Sequence, residues 1–415
     1  MAREPRTIMA NLVNDVMIDC PPASYARAMA VVTPRKLWQA EPGDCVVALA
    51  PCDPAFRDYV ASVVDVPADT VDVVAPSALF PGHPLDVVAA LDATPTVTAR
   101  PQLAPFVVDA RVVDFARSRR LRLADYPSLP EERTLTAIRR INTKAGFREI
   151  ATEMGLPVAD GGHAYAPADL AEQLTRFLHT RERAIVKVNR SSNGHGTFEV
   201  TAADIDLVPH QIRRSVAEAP ARRCGWVYEE RMAFTAVPSI ELFLDGAGVH
   251  AFYTCDQRTR DNAWTGMVTP AVTAEPQVVE AAHRIGGWLH RHGFRGYADV
   301  DAGVHPGGFV VTEANVRRTG GTYLEELARR LHPGPAQAAV HWRADVRPGT
   351  NRLDFHRAVK ALAHAGLAER AAPARATLLV DTLKVDGKWR YLVSGHTAEA
   401  VAAVENELTD ILELV

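Results

Sequence analysis

The sequence predicts an α/β protein of several domains, and three observations support this class. Residues 1–125 alternate short apolar runs with helical segments, which is typical of a mostly parallel sheet. The stretch from Gly296 to Gly321 has the pattern of a β-hairpin, so antiparallel strands are expected as well. The chain has 415 residues, which is long enough for about two to four domains with a large core.

Composition excludes several classes of function. The formal net charge is −4, so nothing points to a nucleic-acid or membrane-surface partner. The first twenty residues have no sustained apolar core and no run reaches the length of a membrane span, so neither a signal peptide nor a membrane helix is expected. The five cysteines are scattered without a CxxC pair, so a zinc site and a disulfide framework are not expected, and a reducing cytoplasm is the default location.

Residues 1–125 are predicted to form a small Rossmann-like domain. The expected strands are Asp44–Ala50, Val71–Ala75 and Pro105–Asp109, and the expected helices are Pro54–Val64 and Arg111–Arg122. No glycine-rich phosphate loop occurs here, so the domain is expected to pack against and close one side of a cleft. Asn11, Asn14 and Asp15 either reach a ligand or cap a turn, and the sequence leaves both open.

A second region follows a linker at Asp125–Glu132, which is rich in proline and charge. Two helices are predicted around an Asn142-Thr143-Lys144 interruption, at Arg133–Ile141 and Ala145–Met154, and a third at Asp169–Thr180. The strand Arg183–Arg190 then carries Lys187 near its centre. A lysine in an apolar strand needs a reason, and an anionic ligand is one; an outward-facing side chain is the other.

The loop Ser191–Thr197 follows that strand and contains Ser192, Asn193, Gly194, His195 and Gly196. Glycines let backbone N–H groups approach an anion closely, so the loop is a candidate phosphate cradle. It is not a P-loop, because GxxxxGK[ST] is absent from the sequence. A plain hairpin turn is the alternative.

Further strands are predicted at Gly225–Met232, Pro238–Leu244 and Val249–Thr254, and a long helix at Glu275–His292. The joint Asp245–Gly248 opens a formal GxGxxA match, but strands on both sides make it a hairpin turn rather than a dinucleotide site. Asp256–Thr269 is predicted to be a polar loop. Its Arg258 and Arg260 either face an anionic substrate or serve solubility.

The Gly296–Gly321 hairpin is the strongest candidate for a site. Side chains alternate along a strand, so Glu313 and Asn315 share one face, and Asp299 on the partner strand can join them. Oxygen ligands of this kind suit magnesium, which proteins usually hold with one or two carboxylates plus substrate phosphates. Arg317 and Arg318 come next and suit the same anionic substrate.

Taken in order, these features resemble the ATP-grasp superfamily of carboxylate–amine ligases. The resemblance covers about residues 133–332 and rests on Asn-x-Lys, the strand lysine, the Ser/Gly loop, the Glu-Glu strand end and the final Asp…Glu-x-Asn-x-Arg. It implies ATP as cosubstrate and two Mg²⁺ ions held by Asp299, Glu313 and Asn315. It further implies catalytic cations at Lys187, Arg317 and Arg318.

The resemblance also implies a nucleotide site. Lys144 and Lys187 would reach the phosphates, and Ser192 to Gly196, His195 included, would fold over them. The backbone of Glu229, Glu230, Arg231 and Met232 would hold the adenine, and either Glu241 or Ser239 would bind the ribose. The sequence departs from some relatives in one respect, since Tyr297 stands where they carry an arginine.

The whole chain is predicted to comprise residues 1–125, 133–345 and 351–415, a layout similar to the pheganomycin-type peptide ligases. The last part is expected to hold the helix Asp354–Ala365, the strands Ala376–Val385 and Trp389–Ser394, and the helix Thr397–Leu414, as a lid or dimer element. The implied function is ADP-forming amide or peptide ligation in natural-product biosynthesis, on a small carboxylate and an amine or peptide.

Two alternatives stay open: an ATP-grasp enzyme with a non-amine acceptor, and a non-catalytic ATP-binding module. A Met-Lys-Met biotin-carrier core is absent from the sequence, which argues against a carboxylase half. The base rate of soluble oligomers favours a homodimer.

Overall fold

The protein is represented by a computed structural model that describes residues 3–12, 14–18, 23–75, 100–191, 194–215, 225–260, 263–334, 340–350, 352–370, 372–381 and 386–414. Its strands form three sheets of five, eight and four strands. None of the described helices is long and apolar enough to cross a membrane.

The first sheet is parallel throughout and has the strand order β3-β2-β1-β4-β5. Its strands are β1 (Arg6–Met9), β2 (Cys45–Val47), β3 (Asp72–Val74), β4 (Gln102–Pro105) and β5 (Arg122–Leu123). The described helices around it are α1 (Ala23–Val31), a 3-10 helix (Thr33–Gln39), α2 (Pro54–Val64), a short 3-10 turn (Ala68–Thr70) and α3 (Ala110–Arg119). Because β1 is flanked by β2 and β4, the chain reverses its winding there, and ligands of such sheets bind at that point, outside the carboxyl ends of the strands.

Local chemistry explains where these helices begin. Asp53 caps α2 by accepting a hydrogen bond from the backbone N–H of Ala55 at 2.8 Å, and Pro54 occupies the first helical position. Asp109 caps α3 in the same way, accepting from the N–H of Val112 at 2.8 Å. The predicted strand Pro105–Asp109 was therefore misplaced, because β4 ends at Pro105 and Asp109 belongs to the helix start.

Asn11 and Asn14 stabilise the chain beyond β1 rather than face a ligand. The Asn11 side chain accepts hydrogen bonds from the N–H groups of Phe106 and Val107 and donates one to the carbonyl of Val107. Asn14 accepts from the N–H groups of Val16 and Met17. The Asn11 bonds hold the ends of β1 and β4 together at the winding reversal, and the Asn14 bonds form a local turn.

The four-stranded sheet is antiparallel, with the order β6-β9-β7-β8 and an apolar core of its own. Its strands are β6 (Gly161–Ala164), β7 (Arg183–Val188), β8 (Phe198–Thr201) and β9 (Trp226–Glu230). The helices before and around it are α4 (Glu132–Ile141), α5 (Lys144–Glu153), α6 (Pro167–Leu178), a 3-10 helix (Ala202–Leu207) and α7 (Val208–Ser215). The predicted break at Asn142-Thr143-Lys144 lies where α4 ends and α5 begins, and Thr143 caps α5.

The eight-stranded sheet is antiparallel, with the order β14-β13-β10-β11-β12-β15-β17-β16. Its strands are β10 (Pro238–Leu244), β11 (Val249–Arg260), β12 (Ala263–Thr269), β13 (Gly296–His305), β14 (Gly308–Asn315), β15 (His341–Pro348), β16 (Ala374–Leu378) and β17 (Lys388–Gly395). Its helices are α8 (Pro276–Arg291), α9 (Thr322–Leu331), α10 (Phe355–His364) and α11 (Ala398–Ile411). The hairpin turn predicted at Asp245–Gly248 joins β10 and β11.

The predicted loop Asp256–Thr269 was wrong, because β11 continues to Arg260 and β12 returns from Ala263. Its alternating polar residues line a half-buried sheet face, which a polarity argument mistakes for a loop. β16 and β17 join this same sheet through β15, so residues 351–415 extend the sheet that carries the Asp299–Glu313 hairpin. Part of the predicted strand Ala376–Val385, residues 382–385, lies outside the described residues.

A buried ion cluster fastens α11 to this sheet. Both guanidinium nitrogens of Arg258 contact the Glu405 carboxylate, at 2.5 and 2.9 Å. Arg343 reaches the same carboxylate at 3.0 Å, and the Tyr391 hydroxyl donates to it at 3.1 Å. Arg258 is therefore committed to the fold and does not face a substrate.

Replacing Glu405 with alanine is expected to destabilise the protein strongly. Arg258 and Arg343 lose their shared anion, and breaking such a buried cluster from one side costs about 3 kcal/mol, the lower end for buried pairs since both arginines reach solvent. The free energy of unfolding in urea measures the loss. The matched control is Glu407→Ala, an exposed position of the same helix, for which a change below about 0.5 kcal/mol is expected.

The same contact sets a pH dependence. Burial alone raises the pKa of Glu405, but the hydrogen bonds and charges of Arg258 and Arg343 bring it below its ordinary value. The stabilisation is therefore complete above the unfolded pKa of about 4.3 and is lost as pH falls through the folded pKa. Equal destabilisation by Glu405→Ala at pH 7 and at pH 3 would contradict this account.

Candidate active site

A cleft of about 690 Å³ lies between the first sheet and one face of the eight-stranded sheet. Side chains alternate between the two faces of an antiparallel sheet, so every second residue of each strand can point into the cleft. Its lining includes Gln257 and Thr259 of β11, Met267 of β12, Asp299 and Asp301 of β13, Glu313 and Asn315 of β14, Val346 and Pro348 of β15, and Lys388 and Arg390 of β17. The sheet face therefore connects an acidic end with a basic end.

The acidic end is a cross-strand grid on β10, β13 and β14. Asp301 lies directly opposite Glu313, and Asp299 lies opposite Asn315. Glu241 on β10 is the neighbour of Asp299 on its other side. The structure thus brings the three predicted metal ligands together and adds Asp301, which sequence reasoning missed.

These acids resist ionisation where they stand. Burial and the nearby charge of Glu241 raise the pKa of Asp299 to about 7, although Arg317 opposes the shift. Burial and the charges of Asp299 and Glu313 raise the pKa of Asp301 well above its ordinary range. A bound cation would relieve this mutual repulsion, so the cluster has the electrostatics of a cation site.

The donor set fits magnesium. Among the described residues, no group of three or more His, Cys, Asp and Glu side chains could hold a metal ion on its own. Magnesium does not need such a group, since it takes oxygen ligands, keeps waters and shares its coordination with substrate phosphates. Asp301 and Glu313, with Asn315 and Asp299 beside them, supply such oxygens at the edge of an open cleft.

Lys144 connects the acidic grid to the four-stranded sheet. Its Nζ lies 3.4 Å from Glu313 Oε1 and 3.2 Å from the carbonyl oxygen of Ser191. The end of β7 fixes this lysine, because the backbone of Asn189 accepts from the Lys144 N–H and its side chain accepts from the Ala145 N–H. The predicted phosphate lysine therefore stands between the Ser/Gly loop and the predicted metal ligands.

Lys187 has a different partner. Its Nζ lies 2.6 Å from Glu229 Oε2, and Arg148 contacts the other oxygen of the same carboxylate at 2.7 Å. Burial alone raises the pKa of Glu229, but these two cations bring it below its ordinary value. Arg148 was missed from sequence, although it lies four residues after Lys144 and so on the same face of α5.

Only part of the predicted phosphate loop can be described. Ser192 and Asn193 lie outside the described residues. Gly194 lines the cleft, and both Gly194 and Gly196 have φ of +70°, which favours glycine. The centre of the His195 ring lies 6.0 Å from the centre of the Tyr25 ring. Burial lowers the pKa of His195, which favours the neutral imidazole.

The predicted adenine hinge spans the end of β9 and the passage to β10. The backbone N–H groups of Glu230 and Arg231 bond to the carbonyls of Asp160 and Arg183. The Arg231 side chain pairs with Glu199 at 2.6 Å and donates to the carbonyl of Met232 at 2.8 Å. These residues lie where the four-stranded sheet passes to the eight-stranded one.

Glu241 is not available to a ribose. Its side chain is fully buried and accepts hydrogen bonds from Tyr253 at 3.0 Å, from Thr319 at 2.6 Å and from Thr322. Burial raises its pKa to about 7. The suggestion of Glu241 as the ribose ligand is therefore corrected, because its carboxylate holds the start of α9 against the sheet.

Arg317 and Arg318 separate. Arg317 lines the cleft, donates to the side-chain oxygen of Asn315, and has a buried Nε without a partner among the described residues. Arg318 is buried in ion pairs with Asp125 at 3.3 Å and Glu326 at 2.9 Å. The structure thus places Arg318 outside the cleft, as a tie between the linker after the first sheet and α9.

Three comparisons with known proteins complete the description. Residues 33–121 match the family model described as the Pre ATP-grasp domain. No curated protein sequence matches the chain significantly. Solved structures match it over nearly its whole length at low identity.

One match is an ADP complex of purK, N5-carboxyaminoimidazole ribonucleotide synthetase, with 12% identity, 99% of this chain and 98% of that chain covered, and a TM-score of 0.62. Another is N5-carboxyaminoimidazole synthase from Aspergillus clavatus with ADP and 5-aminoimidazole ribonucleotide (15% identity, 99% and 99% covered, TM-score 0.57). A third is the biotin carboxylase domain dimer of 2-oxoglutarate carboxylase from Hydrogenobacter thermophilus with MgADP, ADP and bicarbonate (10% identity, 100% and 91% covered, TM-score 0.60). The chain thus has the ATP-grasp fold with a pre-ATP-grasp domain, which confirms the predicted fold class.

Binding of a divalent cation tests the acidic grid without any turnover. We expect Asp301→Asn and Glu313→Gln each to weaken Mn²⁺ binding about 10- to 100-fold, because each removes an anionic oxygen from opposite strands. Electron paramagnetic resonance of free Mn²⁺, in the presence of ADP, measures the affinity. Asp410→Asn, an exposed position of α11, is the matched control. Unchanged affinity in both variants would remove the metal site from this grid.

Proposed function

We propose that this protein is an ATP-dependent ligase that joins the carboxylate of an amino-acid-like substrate to an amine and releases ADP and phosphate. One observation carries the proposal: Lys144 contacts both the Ser191 end of the glycine loop and the Glu313 carboxylate, so the proposed phosphate lysine stands next to a proposed metal ligand of the cleft. The ADP and MgADP complexes of the matched structures support a nucleotide at this place.

The chain's own cations would hold the nucleotide phosphates. Lys144 and Lys187 give up Glu313 and Glu229 as partners and turn to the phosphate oxygens. Backbone N–H groups at Gly194 to Gly196 add donors that need no side chain. Arg148 keeps Glu229 neutralised when Lys187 leaves it.

Asp301, Glu313 and Asn315, with Asp299 beside them, would hold magnesium, as two ions if the family resemblance applies fully. Bound there, the metal neutralises phosphate charge and orients the transferring group. Exchange of the Lys144 contact would free Glu313 for this role. Gln257, which donates to Asp301 at 2.7 Å, fixes the orientation of that carboxylate.

The chemistry follows from charge. A carboxylate oxygen of the donor attacks the γ-phosphorus of ATP, the bond to the β-phosphate oxygen breaks, and ADP leaves. The unprotonated amine then attacks the acyl carbon, the C–O bond to phosphate breaks, and the proton lost by nitrogen leaves with the phosphate. Arg317 stands beside Asn315, with a buried Nε that has no partner in the part of the chain that the structure describes, and it would stabilise the negative charge of both steps.

The cleft favours an organic donor over bicarbonate. Leu12, Met17, Met29 and Val32 of the first domain line it, and its volume far exceeds that of a four-atom anion. Apolar lining binds the body of an amino-acid-like substrate and excludes water, which would otherwise hydrolyse an acyl-phosphate. We therefore retain peptide or amide ligation, in a biosynthetic role in the cytoplasm, over a carboxylase with a non-amine acceptor.

Product analysis tests the reaction type. Protein, Mg²⁺ and ATP are incubated with pooled amino acids, N-capped amino acids and short peptides, and ADP, AMP and phosphate are followed separately. ADP and phosphate are expected only when a carboxylate and an amine are both present. AMP and pyrophosphate would mean adenylation and contradict the proposal, and ATP binding without turnover on any pair would leave the non-catalytic module.

Two variants test the assigned roles. Glu313→Ala is expected to lower ADP formation by at least about 100-fold while the free energy of unfolding stays near that of the wild type, because its side chain is partly exposed in the cleft.

Lys187→Ala is expected to weaken ATP binding by roughly 10- to 100-fold, measured by calorimetry. Glu280→Ala and Lys360→Ala, both exposed on helices, are the matched controls. Full activity of Glu313→Ala would refute the site.

A further inference from the structure

The basic end of the cleft has no role in the proposed phosphoryl transfer. Besides Arg317, the cations that line the cleft are Arg35, Arg260, Lys388 and Arg390, and we call Arg35, Lys388 and Arg390 the basic end. Lys388 and Arg390 lie on β17, five strands from β13 in the order of the sheet. The acids and Arg317 are therefore at one end of the cleft, and this second group of cations is at the other.

The sheet register turns both β17 cations into the cleft. Arg390 pairs with Val346 and Lys388 with Pro348, and all four line the cleft. Arg35 faces them from the 3-10 helix Thr33–Gln39 of the first domain. Two parts of the chain that are distant in sequence therefore place cations in the same cleft.

Arg35 has no anionic partner among the described residues. Its guanidinium lies 5.4 Å from the centre of the Tyr323 ring, and its buried Nε has no hydrogen-bond partner in the described part of the chain. Burial lowers the pKa of Arg35, and the charge of Arg390 lowers it further, although Tyr323 opposes the shift. Arg390 differs, since it pairs with Asp386 at 2.5 Å. A half-buried arginine without a carboxylate is costly unless a ligand supplies one.

Apolar side chains line the path between the two ends. Met17, Met29 and Val32 belong to the segments beyond β1, and Phe106 follows β4. These positions lie outside the carboxyl ends of β1 and β4, where the winding of the first sheet reverses. A ligand that spans the cleft therefore meets acids and Arg317 at one end, apolar surface in the middle, and Arg35 at the other end.

We propose that Arg35, together with Lys388 and Arg390, binds the free terminal carboxylate of the amine substrate. The acceptor is then an amino acid or short peptide with apolar side chains, rather than a simple amine. This inference rests on the proposed ligase function. This carboxylate clamp, formed by Arg35, Lys388 and Arg390, also prevents a side reaction, because an acceptor with its own carboxylate would otherwise be phosphorylated in place of the donor. Holding that group at the basic end leaves only the amine near the acyl-phosphate.

Paired peptides test the proposal. The probes are Leu-Leu and Leu-Leu-Leu, each with a free or an amidated C-terminus, titrated by calorimetry into the protein with MgADP and then used as acceptors with the carboxylate pool. We expect the free acids to bind roughly 10- to 100-fold more tightly than the amides, as for a charged hydrogen bond. Arg35→Gln should remove this preference and leave the Kd of ATP unchanged.

Three variants keep the outcome decisive. The Lys388 side chain is exposed, so the Lys388→Gln variant should fold normally. Like Arg35→Gln, it should reduce the preference for the free acid. Arg35→Lys should restore part of that preference, because it keeps the charge. Arg27→Gln, an exposed arginine of α1 outside the cleft, is the matched control.

Different outcomes overturn the carboxylate clamp and the ligase function. Equal binding of acid and amide, no binding of either, or an equal effect of Arg35→Gln on both would overturn the clamp even if ligation occurs. A preference that follows a second carboxylate on the donor instead would also overturn it. Absence of ADP release with every pair of substrates would overturn the ligase function, whatever the peptides do.

Discussion

The cost of keeping four carboxylates on one largely buried sheet face governs the structure around them. Glu241, Asp299, Asp301 and Glu313 repel one another, and burial deprives most of them of water. Neighbouring elements supply hydrogen-bond donors and a cation. The segment at the start of α9 and β11 both donate to Glu241, and β11 also donates to Asp301. Lys144 of α5 approaches Glu313. The positions of α5 and α9 follow from this requirement, since an unpaired buried acid would be more costly than either contact is favourable.

A single sheet carries both ends of the cleft. β13 and β14 present the acids, β17 presents Lys388 and Arg390, and antiparallel pairing runs without interruption between them. The last part of the chain is consequently a structural portion of the site. It also packs on the first domain, where the Trp38 indole donates to the carbonyl of Leu379 at 2.8 Å and the Tyr59 hydroxyl accepts from the N–H of Leu378. The acids and the β17 cations thus share one sheet.

The sequence was sufficient for the fold class, for most helices, and for the shared face of Glu313 and Asn315, because periodicity and caps are local. It was insufficient for Asp301. The same alternation that selected Asp299 includes Asp301, but a bulge after Asp301 decides which acid opposes Glu313, and a bulge has no clear local signal. The fates of Glu241 and Arg318 were equally hidden. Their partners lie 78 and 193 residues away, at Thr319 and Asp125, so only the tertiary structure shows that both are consumed by the fold.

Two lysine–carboxylate contacts, Lys144 with Glu313 at the acidic grid and Lys187 with Glu229 on the four-stranded sheet, leave these groups already neutralised at rest. An incoming anion must therefore compete with glutamates for the lysines, and an incoming cation must compete with a lysine for Glu313. A ligand that brings both charges at once satisfies every group that it separates. Such a cleft selects for a preformed ion pair over either ion alone, so occupancy by metal and by polyanion becomes mutually reinforcing, without any movement of the backbone.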